Sequence, residues 1–156
     1  MNTWSSPALQ PIGWVDSPLT RRADAPRQGY EGAPNARLRI EPAFRRGLDG
    51  IAAGQELLVL TWLHEAARDV LAVHPRDDPS HPLTGVFATR SPDRPNPIGL
   101  HGVRVLAIEP DGTLLVDALE AIAGTPILDI KPVLGGRQQN ARPSAEHPPG
   151  RKSWQI

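Results

Sequence analysis

The chain has no cysteine. That removes disulfides, thiolate metal ligands, iron–sulfur clusters and cysteine nucleophiles in one step, and it fits a reducing, cytoplasmic setting. Nor is there an excess of either charge, since 17 Lys and Arg balance 17 Asp and Glu. A protein that holds nucleic acid mainly by its phosphates carries a basic surplus, so any such grip here must come from a local patch. No apolar run approaches the roughly 18 residues of a membrane span. Met1 to Pro18 lacks the basic-then-apolar layout of a signal peptide. His64, His74, His81, His101 and His147 show no tight ligand spacing, so no metal site is expected.

Proline and glycine are abundant, with 18 and 14 residues. Both interrupt helices, which argues against a long-helix bundle and for short strands joined by many turns. The 156 residues suffice for one domain with a single core. Residues 1–11 read as a flexible N-terminus, 12–134 as the domain, and 135–156 as a Gly-, Pro- and Arg-rich arm.

Within the domain, Ile12 to Val15 suits a first strand closed by Ser17-Pro18. Residues 20–35 lack periodicity and form a long loop, the kind that often carries function. Ala36 to Ile40 alternates charged and apolar residues, as a half-buried strand does. Phe44 to Ala53 suits a short helix stopped by Gly54. Glu56 to Leu63 is the most continuous apolar run and reads as a central strand, with His64 and Glu65 at its exit. Val103 to Ile108 and Thr113 to Asp117 form a hairpin, because Glu109-Pro110-Asp111-Gly112 has strong turn chemistry. Pro126 to Ile130 is a further strand. The fold expected is mainly β: a compact antiparallel barrel or strongly bent sheet with one or two short helices.

The segment from Gly85 to Gly99 carries the densest chemistry. Val86 to Ala88 reads as a short apolar strand with Thr89 and Arg90 at its exit. Pro92, Pro95 and Pro97 stiffen the loop beyond it, so that loop loses little entropy on ordering around a ligand. Arg90, Ser91, Asp93, Arg94 and Asn96 supply donors and acceptors on that frame. Composition alone leaves two readings open, a ligand loop and a surface loop with solvated charges.

Ala88 to Gly99 resembles the Ala-Thr-Arg-Ser-Pro-x-Arg-Pro-Asn-Pro-Ile-Gly signature of the TsaA-like (TrmO-type) methyltransferases at every fixed position. Ile12-Gly13 with Ser17-Pro18, Pro26-Arg27-Gln28, Gly124-Thr125-Pro126 and Asp129-Ile130-Lys131-Pro132 resemble further motifs of that family, in order. The resemblance implies a β-barrel enzyme dependent on S-adenosylmethionine (SAM). It implies a homodimer with SAM near the subunit interface, and tRNA as partner. The acceptor would be N6 of threonylcarbamoyl-adenosine beside the anticodon. Carried over by position, SAM contacts come from Pro26, Arg27, Gln28, His64, Glu65, Arg90, Leu100, Glu120, Ala121, Ile122 and Ala123. Arg27 or Arg90 suits the cofactor carboxylate, Leu100 the adenine, and the backbone at Ala121 to Ala123 its edge. Asp129, Lys131 and Asn96 are the candidates for the acceptor side. The expected cleft lies between the Arg90–Gly99 loop and the Asp129–Lys131 strand, with residues 20–35 as a movable wall. Arg137, Arg142, Arg151 and Lys152 would add phosphate contacts.

Plainer roles exist for several of these. His64 ends an apolar strand, where a histidine commonly serves structure. Asp129 and Lys131 share a strand face and could form an exposed pair worth under ~1 kcal/mol. Asn96 could merely shape a turn. The sequence also departs from the family pattern. Ala123 and Glu120 stand where the family has Asp, Glu65 where Gln occurs, and Val133 where an aromatic does. These departures leave open a same-fold methyltransferase for a small molecule or another RNA, and a non-catalytic SAM-binding module.

Overall fold

The computed structural model describes residues 5–135. Its strands are β1 (Gly13–Asp16), β2 (Ala36–Ile40), β3 (Glu56–Trp62), β4 (Ala72–Val73), β5 (Thr84–Gly85), β6 (Ile98–Ile108), β7 (Leu114–Val116) and β8 (Pro126–Pro132). Six of them close a barrel in the order β1-β2-β7-β6-β3-β8, while β4 and β5 form a separate pair. Every barrel neighbour is antiparallel, and closure gives each of the six barrel strands a neighbour on both sides.

Direction then fixes where the connections go. Strands β1, β3 and β7 run one way and β2, β6 and β8 the other. The connections 17–35, 63–97 and 117–125 therefore all leave from the same end, the rim. The opposite end carries 41–55 and the β6–β7 turn.

Alternation along the strands fills the interior. Leu38 and Ile40, Leu57 and Val59, Val103 and Val105, Leu114 and Val116, with Val15 and Ile127, are all buried in one cluster. Each such side chain contributes about 1.5–3 kcal/mol through burial. Leu119 and Ala121, from the rim connection, join this core, while Ile12, Phe44, Leu48 and Ile51 pack against it.

The expected hairpin is present, with Glu109 N–H donating to the Thr113 carbonyl at 2.8 Å and Gly112 at φ +84°. Other expectations need correction. Val86–Ala88 is a 3-10 turn rather than a strand, and the expected helix at 44–53 is a 3-10 segment, Pro42–Leu48. Pro42 starts that segment and Gly50, at φ +98°, comes just after it. All helical segments among the described residues are of the 3-10 type. Strand β6 begins at Ile98, five residues before the expected start. The expected C-terminal arm and its basic residues Arg137, Arg142, Arg151 and Lys152 lie outside the described residues.

Candidate functional site

The rim connections are tied to one another. Segment 117–125 is held from both sides of the first connection: Ala123 N–H donates to Leu19 O at 2.7 Å and Leu119 N–H to Pro34 O at 3.1 Å. Gly29 packs directly on the Ala118 carbonyl, close to the Glu120 carboxylate. Two ion pairs fasten the same loop to the second connection, Arg27–Asp77 at 3.0 Å and Glu31–Arg76 at 2.6 Å. Arg76 and Asp77 hold φ of 58° and 55°. For residues with a Cβ this is a sparsely populated region, which the paired contacts offset.

The Pro-rich loop is braced from within. The Arg94 guanidinium donates to the carbonyls of Ser91, Val86 and Thr89 at 2.7, 2.9 and 2.6 Å. Arg94 is thus committed to the loop's own backbone. Asp93 ties the first rim connection to the second: one oxygen accepts from Arg22 at 2.6 Å and the other from Ala67 N–H at 2.8 Å. The Arg22 hydrogen bond, aided by the Ala67 N–H, holds the Asp93 carboxyl below the usual carboxylate range against the opposing effect of burial.

That shift has a sign for stability. A carboxyl with a lowered folded pKa contributes stability above its unfolded value, near ~3.9, and loses it as pH falls through the folded value. Asp93→Asn is expected to cost roughly 1–2 kcal/mol at neutral pH. The variant and wild type should converge in melting temperature as pH drops from about 6 towards about 3. A constant gap across that range would remove Asp93 from the acid response.

The candidate residues fall into two groups. Pro26, Arg27, Gln28, His64, Glu65, Arg90, Asn96 and Glu120 to Ala123 all lie on the rim connections. His64, Glu65 and Arg90 are exposed there, and Ala121 and Ile122 are buried. Two backbone groups proposed for an adenine edge are already used. Ala123 N–H serves Leu19, and the Ile122 carbonyl accepts from Thr125. Asn96 accepts from Arg68 at 3.4 Å.

Leu100, Asp129 and Lys131 belong to the second group. In register, Leu100 and Asp129 flank Leu60, and Lys131 is opposite Leu58. Leu60 and Leu100 alternate with the buried Val59 and His101, and the register shift between Leu60 and Thr61 takes Asp129 off the inward face of Ile127, so these positions lie on the outer face of the barrel. The Lys131–Asp129 pair, 2.8 Å apart, leaves 60% and 48% of the two side chains exposed. A cleft bounded by this pair and the Arg90–Gly99 loop is not what the strand register builds.

Sequence reasoning missed one polar feature. His101 is inward-facing on β6 and only 4% exposed. Its ring meets Thr61 Oγ1 at 2.8 Å and Glu120 Oε1 at 2.7 Å. The period-2 alternation around Val103 and Val105 was the signal that could have placed it inside.

Comparison with known proteins agrees with this architecture. Residues 14–136 match the profile of the tRNA-methyltransferase O N-terminal domain. A probable S-adenosyl-L-methionine-binding protein of Halobacterium salinarum is 42% identical over 125 residues, spanning 80% of this chain and 96% of its own length. A probable S-adenosyl-L-methionine-binding protein of Rhizobium radiobacter, VirR, is 38% identical over 145 residues, spanning 93% of this chain and 77% of its own. The crystal structure of TrmO from Pseudomonas aeruginosa superposes with a TM-score of 0.68 at 30% identity, covering 94% of this chain. This chain spans 66% of that one.

Proposed function

Since the chain belongs to the tRNA-methyltransferase O N-terminal domain family, we propose that it binds SAM at the barrel rim and transfers the methyl group to a nitrogen acceptor. The acceptor we propose is N6 of threonylcarbamoyl-adenosine in tRNA, next to the anticodon. The observation that carries this reading is topological. Three connections that are far apart in sequence converge on one barrel end, and they bear every proposed cofactor residue except Leu100.

The residues present fit such a ligand. Glu120 presents Oε2 towards the Gly29 loop while Oε1 is held by His101, so a carboxylate is available to cofactor hydroxyls or an ammonium group. Arg27 supplies a guanidinium at the same wall and would exchange Asp77 for a ligand carboxylate. SAM, when bound, supplies an electrophilic methyl group on a sulfonium. What remains for the protein is to align the acceptor and exclude water. A rim braced by Arg94 and Asp93 suits that alignment. Tyr30 and Phe87, on two of the rim connections, are 72% and 80% exposed, which suits stacking on unpaired bases.

A homodimer belongs to the same reading. Leu100 lies on the outer sheet face, across the barrel wall from His101 and Glu120. Ile98 and Leu100 there are 44% and 37% exposed and border Trp62 and Leu60. A second copy on this face covers the apolar surface and brings its own rim towards Leu100. Light scattering at micromolar concentration with SAM present should give the dimer mass, and a monomer mass would refute this part.

The decisive experiment has two steps. Calorimetry on the folded chain should show binding of SAM and S-adenosylhomocysteine, and absence of both overturns the reading. Incubation with labelled SAM and tRNA from a strain lacking the gene should then label the modified adenosine. Binding without transfer to tRNA would favour a second reading, a methyltransferase for a smaller acceptor. That alternative draws on a specific observation: most described cationic side chains are already paired, among them Arg22, Arg37, Arg104 and Lys131. Few are left for phosphates.

A further inference from the structure

At the rim end of the barrel, Thr61, His101 and Glu120 form one hydrogen-bonded chain. Thr61 is fully buried, His101 is 4% exposed, and the Glu120 side chain is 16% exposed. With Glu120 ionised, Nδ1–H of the ring donates to Oε1. In the neutral ring, Nε2 then accepts from the Thr61 hydroxyl. The sequence hydroxyl–imidazole–carboxylate has the order of a nucleophile relay, but it is oriented the wrong way for one. The hydroxyl, one residue from the rim end of β3, is fully buried, and the carboxylate is the partly exposed end of the chain.

Space for this chain is specifically left open. Thr61 and Gly99 are direct partners on β3 and β6, and His101 is two residues further on the same inward face. A methyl group on Gly99 would lie 2.6 Å from His101 Nε2, closer still to Thr61 Oγ1, and 3.0 Å from Leu63 Cδ2. Only a residue without a side chain admits the diagonal Thr61–His101 bond. No polar side-chain atom is left buried without a partner among the described residues. A valine and a leucine at positions 61 and 101 would fill a barrel core without this demand. Fully satisfied buried polar groups add little net stability over such a core, but they fix geometry.

We propose that His101, backed by Thr61, is a positioning residue for Glu120, holding Oε1 so that Oε2 faces the cofactor's hydroxyl or ammonium donors at the rim. This rests on the SAM-binding reading above. Glu120 comes after Ala118 and Leu119 on a connection, and a connection alone does not fix a long side chain. The imidazole supplies that fixation from the barrel wall, which is the more rigid element.

The test is calorimetric titration of the full chain with S-adenosylhomocysteine, with the melting temperature recorded for every variant. His101→Leu is expected to weaken binding about 10-fold, the scale of one charge-assisted hydrogen bond. His101→Asn can still donate to Oε1 and should stay within about 3-fold of wild type. Thr61→Val should weaken binding less than His101→Leu. In a Glu120→Ala background, His101→Leu should have no further effect, because it acts only through that carboxylate. Val105→Ala, also inward on β6 but further from the rim, lowers the melting temperature without touching the chain. It should bind as wild type does, which separates positioning from general loosening. Equal losses for His101→Leu with and without Glu120, or wild-type affinity for a folded His101→Leu, would overturn the proposal while leaving SAM binding intact. A wild-type chain that binds neither SAM nor S-adenosylhomocysteine would overturn both.

Discussion

Arg94→Ala is expected to lower stability by about 3 kcal/mol and to abolish measurable cofactor binding. The guanidinium satisfies three carbonyls, those of Ser91, Val86 and Thr89. Hydrogen bonds from a charged donor contribute about 1.5–3 kcal/mol each, but three on one side chain do not add. The loop loses its internal brace, and three carbonyls of the 86–91 stretch lose a charged partner. A loss of about 3 kcal/mol lowers the melting temperature by roughly 10 °C in a chain of this size. The neighbouring Arg94 N–H to Ala67 O bond, 3.0 Å long, places the same residue against the exit of β3, so the damage reaches His64 and Glu65. Arg94→Lys should resemble alanine more than arginine, since an ammonium on a flexible stem cannot replace a planar fork. Thermal melts and calorimetry read the two effects separately. Wild-type melting and affinity in Arg94→Ala would show that the prolines alone hold the loop.

Much of the barrel was legible in the amino-acid order. The β6–β7 hairpin came from one turn tetrapeptide, and the central strand from one apolar run. The residues of the rim could be singled out, because family motifs contain them. Its geometry could not, because spatial convergence depends on strand direction and closure. Arg94 shows the limit most plainly. In sequence it is one polar residue among five on a loop. In space its donors are turned inward to carbonyls, a choice set by the backbone path. Asp93 occupies the variable position of the signature, yet it ties two rim connections together. Val86–Ala88 resembles a strand because it is short and apolar. Its backbone instead closes a turn, with Thr89 N–H returning to Val86 O at 3.1 Å, which leaves Phe87 outside. Asp129 and Lys131 kept the shared face that spacing required, but no local rule indicated that this face would be the outer one.

Gly29→Ala is the change expected to separate cofactor binding from folding. A methyl group at position 29 would overlap the Ala118 carbonyl oxygen and lie 3.2 Å from Glu120 Oε2. One of the two sides must give way. Segment 118–121 cannot easily do so, because Leu119 and Ala121 are part of the barrel core. Ala118 is itself held at φ +40°, a conformation costly for alanine and sustained only by its surroundings. The loop bearing Pro26, Arg27 and Gln28 must therefore lift. Its 3-10 turns, 22–24 and 29–31, contain no buried residue, so lifting it sacrifices little core packing. Stability should change by less than about 1 kcal/mol. Affinity for SAM should fall about 10- to 100-fold, or roughly 1.4–2.8 kcal/mol, because the wall and the Glu120 carboxylate lose their fixed separation. Gly47→Ala is the matched control: a methyl group there meets no atom within 4 Å, and the residue lies at the far end of the barrel. It should bind SAM as wild type does. If Gly29→Ala melts and binds like Gly47→Ala, the 20–35 loop is not a wall of the site. If it instead melts several degrees lower with affinity unchanged in the folded fraction, the Gly29–Ala118 contact serves the fold alone.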